Sequence, residues 1–207
     1  MGIILEESLK NHDKKKRIID KYNSTSYFYD KRYRALQSEK YEIVFNNYSV
    51  NCKIILDMGC GTGLLFEYIL KLILDKEGIR CNYVALDISW NMLLEFKAKV
   101  INLEKRKNSL NLILSDIECL PFRENTFYSI FSLTSFQNLP NIKNGIEELY
   151  RVCKHDADFK FSILKKNLEI EKLLEILKPK IEDLNLTKKE NLEDIVIQGK
   201  VSKVQTF

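Results

Sequence analysis

Three glycines at alternate positions, Gly59, Gly61 and Gly63 in "ILDMGCGTGLL", follow an aliphatic run that ends at Asp57. In a chain with only seven glycines, such a cluster marks a backbone that must turn tightly or let something lie directly against it. The chemistry that suits it is recognition. Missing side chains leave room for a ligand, and the free N–H groups of a helix start offer donors. Two further acids follow aliphatic runs in the same way: Asp87 closes "YVALD" and Asp116 follows "LILS". Asp87 is placed to accept from both hydroxyls of a ribose. Asp116 suits the exocyclic amine of an adenine, with Ile117 against the ring. Acids at three successive strand ends would bracket a nucleoside.

That placement requires a particular set of elements. Hydrophobic period divides the chain into short apolar runs alternating with amphipathic stretches, the pattern of a parallel sheet with crossover helices. Strands are predicted at Lys53 to Asp57, Asn82 to Asp87, Leu110 to Ser115, Tyr128 to Leu133 and Phe159 to Leu164. Between them, "GLLFEYILKLILDKEG", "SWNMLLEFKAKVINLEKRK" and "NIKNGIEELYRVCK" carry apolar residues at helical spacing. A further helix from Leu168 to Leu177 stops before Pro179, and two extended stretches joined by a polar turn then predict an antiparallel hairpin. Residues 1–50 read as a tyrosine-rich helical lead-in, 51–164 as the ligand-binding core and 165–207 as helix plus hairpin, all in one domain.

Spacing separates the two cofactor classes that use a strand–glycine–helix turn. A dinucleotide fingerprint requires G-x-G-x-x-G, whereas position 64 here is leucine and the glycines run G-x-G-x-G. In order, "ILDMGCGTG", "ALDIS", "LSDIECLPF" and "EELYRVCK" resemble the successive motifs of the class I S-adenosylmethionine-dependent methyltransferases, over residues 53 to about 164. The resemblance implies a Rossmann-like α/β fold: a seven-stranded, mostly parallel sheet with a C-terminal antiparallel hairpin and helices on both faces. It implies S-adenosyl-L-methionine as cofactor. Asp57, Gly59, Cys60 and Gly61 would hold the methionine part, Asp87 and Ile88 the ribose, and Asp116 and Ile117 the adenine, while backbone at Ser132 and Leu133 would line the sulfonium. Tyr22 and Tyr29 resemble paired tyrosines that close the pocket in related enzymes, with core anchoring of the N-terminal helix as the alternative. Phe127-Tyr128 and Trp90 depart from the family's usual Phe-Asp and Pro at positions bordering the site.

Composition narrows the remaining classes. With 207 residues, 45% of them hydrophobic, the chain can bury a sizeable core. Its net charge of +4 is mild, and the run Lys14 to Arg17 reads as a solvated helix face before it reads as a phosphate-binding patch. Five scattered cysteines and two histidines give neither a disulfide framework nor a metal site, so five small thiols and no metal are expected. The start "MGIILEESLKNHDKKKR" lacks the order of a signal peptide, which predicts a cytoplasmic protein.

The acceptor is left open. The segment "FSLTSFQNLPN" lacks both the Asn- or Asp-Pro-Pro-aromatic motif of amide and adenine-amine methylases and a Pro-Cys nucleophile. It is similar to small methyltransferases of RNA modification and quinone-type metabolism, with tRNA or rRNA slightly preferred here and a non-catalytic cofactor-binding subunit as the alternative. No catalytic residue is assigned. Gln137 and Asn138 could orient an acceptor, although a turn role suits Asn138 before Leu139-Pro140. The third strand would form an open sheet edge without lysine, proline or bulge within Leu110 to Leu114. The end of the preceding helix, Lys105 to Lys107, could cover it. Otherwise the edge invites self-association through residues 110–115 or the small zinc-binding activator protein used by several family members.

Overall fold

The computed structural model describes residues 2–46, 53–74, 81–101, 109–167 and 170–203. It opens with a 44-residue helix, α1 (Gly2–Phe45). Its sequence holds no proline and no glycine after Gly2, and it is rich in lysine and arginine, both good helix formers. Then follow β1 (Ile55–Met58), α2 (Leu64–Leu74), β2 (Asn82–Asp87), α3 (Trp90–Val100), β3 (Ser109–Leu114) and β4 (Phe127–Leu133). A short 3-10 turn at Phe136–Asn138 leads into α4 (Ile142–Val152), β5 (Cys153–Leu164), α5 (Ile170–Leu177), β6 (Ile181–Lys188) and β7 (Asp194–Val201).

The strands form one seven-stranded sheet in the order β3-β2-β1-β4-β5-β7-β6. The first five run parallel, and β7 pairs antiparallel with both β5 and β6. Parallel strands are covered on both faces, so β1 is buried throughout, as an uninterrupted aliphatic run requires. One face packs Leu56, Ile130, Phe159 and Phe161 against Ile146 and Leu149 of α4 and Leu173 of α5. The other packs Ile55, Tyr83 and Phe131 against Leu65 and Ile69 of α2, Phe96 of α3, and Tyr41, Val44 and Phe45 at the end of α1.

Most predicted strands recur within two residues of their expected ends. The largest difference is β5, which begins at Cys153 rather than Phe159. Its first turn of pairing, Phe127 with Cys153, precedes a register shift, and the intervening "KHDAD" is partly solvent-facing and lacks an apolar signal. The cysteine expectation is corrected as well. Among the described residues Cys60, Cys119 and Cys153 are free, but Cys81 is disulfide-bonded, which the spacing of the cysteines in the sequence does not show. The expected cover of the β3 edge, Lys105 to Lys107, lies outside the described residues. No described helix is long and apolar enough to cross a membrane.

Candidate functional site

The turn between β1 and α2 is built from all three glycines, each at positive φ: 77° at Gly59, 53° at Gly61 and 82° at Gly63. A left-handed backbone strains most L-residues, so the alternating glycines make the strand-to-helix reversal possible. Each also solves a different packing problem. A Cβ on Gly59 would lie 2.5 Å from Ser135 Cβ, and one on Gly63 2.4 Å from the Phe96 ring. A Cβ on Gly61 would meet nothing nearer than Tyr29 Cε1 at 3.9 Å. Gly61 therefore faces open space.

That space is a cleft of about 680 Å³ at the C-terminal ends of β1, β2 and β4, where open parallel sheets bind ligands. Tyr22, Tyr29, Gly59, Gly61, Asp87, Ile88, Asp116, Ile117 and Leu133 line it, nine of the twelve expected residues. Asp57 and Cys60 instead line a smaller hollow of about 330 Å³ beside it. Tyr29, Gly59, Gly61 and Leu133 border both, so the two spaces meet there. Ser132 lines neither. Its hydroxyl donates to Met58 O at 3.0 Å, and alternation along β4 puts its side chain on the same sheet face as Ile130, while Leu133 lies on the opposite face and borders the cleft.

Polar groups on the floor are already oriented. Asp87 accepts from Gly61 N at 2.9 Å and from Ser89 N at 2.8 Å, which fixes its carboxylate at the cleft edge. Burial pushes its pKa up, and the hydrogen bonds from Ser89 and Gly61 oppose that. Asp57 is 2% exposed and accepts from Tyr83 Oη at 2.7 Å. Burial raises its pKa to about 7 against the Tyr83 hydrogen bond, and the Asp87 charge adds to the rise. Burial also pushes the Cys60 thiol well up, so it is no nucleophile.

Helix α1 forms the roof, a role only partly anticipated from its tyrosines. Tyr22 and Tyr29 lie 6.5 Å apart, edge to face, and Tyr22 Oη accepts from Asn138 Nδ2 at 2.9 Å. Asn138 thus combines the expected turn with a contact across the cleft. Lys15 reaches Asp116 and Glu118 at 2.6 Å each, and Lys14 Nζ donates to Leu139 O at 2.5 Å. Asn23 accepts from Ser89 Oγ and Asn91 N at the start of α3. Sequence reading missed Met92 of α3 in the lining, and also Lys15 and Ile18, since the inward face of α1 mixes polar and apolar residues and shows no clean apolar stripe. The departures Trp90 and Tyr128 are outside the cleft lining.

Residues 56–161 match a family described as "Methyltransferase domain". The chain is 31% identical over 152 residues to the ubiquinone/menaquinone biosynthesis C-methyltransferase UbiE of Wigglesworthia glossinidia brevipalpis, covering 70% of this chain and 58% of that protein. The chain spans little more than half the length of the first curated relatives it matches. Its fold is similar to magnesium protoporphyrin IX methyltransferase from Synechocystis PCC 6803 with bound S-adenosylmethionine, at a TM-score of 0.70 and 16% identity over 91% of this chain and 97% of that one. It is also similar to a Haloferax volcanii methyltransferase in complex with the Trm112 methyltransferase activator, at a TM-score of 0.64 and 14% identity, over 88% and 98%.

Proposed function

We propose a small organic molecule as the methyl acceptor of this chain, which belongs to the family of class I S-adenosylmethionine-dependent methyltransferases. The observation that carries this reading is the fate of the basic run. Within the Lys14–Arg17 run, Lys15 lines the cleft and is engaged by Asp116 and Glu118, and Lys14, although exposed, donates to Leu139 O, so two of the four cations are already engaged by the protein itself. The similarity to a quinone C-methyltransferase supports the same choice. The earlier preference for RNA gives way to it.

The cleft fits the cofactor. Gly61 opens free space between the two hollows, Asp87 stands at the edge with lone pairs left for ribose hydroxyls, and Ile88 and Ile117 offer apolar walls for the adenine. Asp57 in the smaller hollow would meet the amino end of the methionine part. Bound S-adenosylmethionine supplies an electrophilic methyl on a sulfonium whose displacement leaves a neutral thioether. The chain's own part is alignment: Leu133, Tyr22 and Tyr29 restrict the approach, and positioning of this kind can contribute ~7 to 11 kcal/mol to the barrier. Asp116 must share its carboxylate with Lys15 when it accepts from adenine.

Calorimetry should show binding of S-adenosylmethionine and S-adenosylhomocysteine, with Asp87→Ala weakening both by about 1 to 3 kcal/mol, the loss of charged hydrogen bonds. Incubation of radiolabelled cofactor with phenol and quinol panels and, separately, with tRNA and rRNA should place the label in the organic fraction. Label in RNA would overturn the acceptor. Binding without transfer to any of them would favour the non-catalytic subunit.

A partner at the β3 edge belongs to the same proposal. Beside β3 an open hollow is lined by Ile54, Val84, Ile113, Phe122 and Phe127, and Leu114 is 53% exposed. Pairing of a partner strand along β3 would bury this row and satisfy the edge. Size-exclusion of a Ser109→Lys/Asn111→Lys variant should show loss of a complex or dimer that the wild type forms, with cofactor affinity unchanged. A fully active wild-type monomer would end the idea.

A further inference from the structure

Lys40 of α1 and Asp194 at the start of β7 form an ion pair, Nζ to Oδ2 2.8 Å, with each residue only 3% exposed. Thr134 joins them: its hydroxyl bonds to both Lys40 Nζ and Asp194 Oδ2, the latter at 2.8 Å, and Ser162 Oγ donates to the same carboxylate oxygen at 2.8 Å. Lys40 also donates to Gln37 Oε1 at 3.3 Å. Burial pulls the ammonium's pKa down, and the Asp194 carboxylate opposes that. Nothing in the methyl-transfer scheme so far uses this cluster.

Its position is specific. Thr134, the neighbour of Leu133, borders the large cleft and Gln37 the smaller hollow, so Lys40 bonds to one residue from the wall of each. Thr134 is at φ 61°, unusual for a β-branched residue, and its N–H donates to Ser162 O at 3.0 Å. The cluster therefore holds the turn that presents Leu133 and Ser135 to the cleft. If the nucleoside lies in the cleft and the amino-acid part in the hollow, the sulfur sits at this junction.

We propose that the Lys40–Asp194 pair is a charge-balanced positioning device: it holds Thr134, and with it the cleft-wall residue Leu133, without adding net charge beside the sulfur, so the preference between cofactor and product is left free of a local charge. The inference rests on the cofactor reading above. A lone lysine behind the junction would repel a sulfonium, and a lone aspartate would attract it, while neither discriminates much for a neutral thioether. Together they leave the junction near neutral, so product is not displaced by charge and cofactor is not repelled. A pair that merely tied α1 to the sheet would affect both ligands alike.

The test compares S-adenosylmethionine and S-adenosylhomocysteine affinities by calorimetry for wild type, Lys40→Gln, Asp194→Asn and the double variant, with circular dichroism as the folding check. Asp194→Asn should lower the cofactor-to-product affinity ratio roughly tenfold, and Lys40→Gln should raise it by a similar factor, the size of a unit charge acting across a poorly solvated wall. The double variant should restore the wild-type ratio, and it keeps a charge-neutral reference if one single variant does not fold. Equal weakening of both ligands in every variant would overturn the proposal, as would two unfolded single variants beside a folded double. Asp87→Ala separates the two readings. If it leaves both affinities unchanged, the cofactor placement itself fails, and this inference with it; if it weakens both while the ratios above stay fixed, the charge balance alone is overturned.

Discussion

Asp57→Asn is expected to stabilise the unliganded protein at pH 8 and to weaken its hold on the cofactor. The carboxyl is buried at the end of β1 with Tyr83 Oη as a donor, and burial raises its pKa to about 7. The unfolded chain releases that proton near pH 4. Between those values the folded state binds more protons than the unfolded one, so stability falls as pH rises through the window, and above it the penalty is full. Asparagine carries no charge at any pH and can still accept from Tyr83. Three pKa units bound the gain at about 4 kcal/mol, and about 2 to 4 kcal/mol is expected at pH 8, shrinking toward zero near pH 4. The cofactor's ammonium would lose its charged partner, which should reduce affinity by about 2 kcal/mol. Urea unfolding at pH 5 and pH 8, with calorimetry on the same samples, checks both halves. A variant that is less stable than wild type at pH 8, or that binds equally well, contradicts this account.

Gly63→Ala should unfold the protein far more readily than Gly61→Ala, although the two sites are two residues apart in one motif. At Gly63 the new methyl would stand 2.4 Å from the ring of Phe96, which is fully buried and packed against Phe66 at 5.5 Å between centroids. The ring cannot withdraw, and φ of 82° adds backbone strain. Overpacking and a left-handed backbone together cost about 2 to 5 kcal/mol. At Gly61 the methyl enters open space, so the fold should lose about 1 kcal/mol from φ alone, while the junction of the two hollows narrows and cofactor affinity drops by tenfold or more. Denaturant unfolding and calorimetry distinguish them. Similar stabilities for the two variants would refute the division of labour among the glycines.

What the sequence determined by itself was local and periodic. Aliphatic runs closed by Asp57, Asp87 and Asp116 specify strand ends, because a strand buried on both faces must be apolar until it reaches the ligand side of the sheet. The glycine turn, the β-α alternation, the place of β3 at the end of the sheet and the closing hairpin follow from the same short-range rules, and the structure has them all. What needed the tertiary structure was every contact between polar groups far apart in the chain. Lys15 meets Asp116 across 101 positions and Lys40 meets Asp194 across 154, and no period or motif encodes such pairs. Ser132 and Leu133 are adjacent in sequence, yet only the packing of α1 over one face of the sheet decides which one sees the cleft. Helix α1 shows the division most clearly. Its composition makes it helical, but its inward face mixes polar and apolar residues, so hydrophobic period could not say which side it buries, and only its docking over the sheet turns Lys15, Ile18, Tyr22 and Tyr29 into a roof.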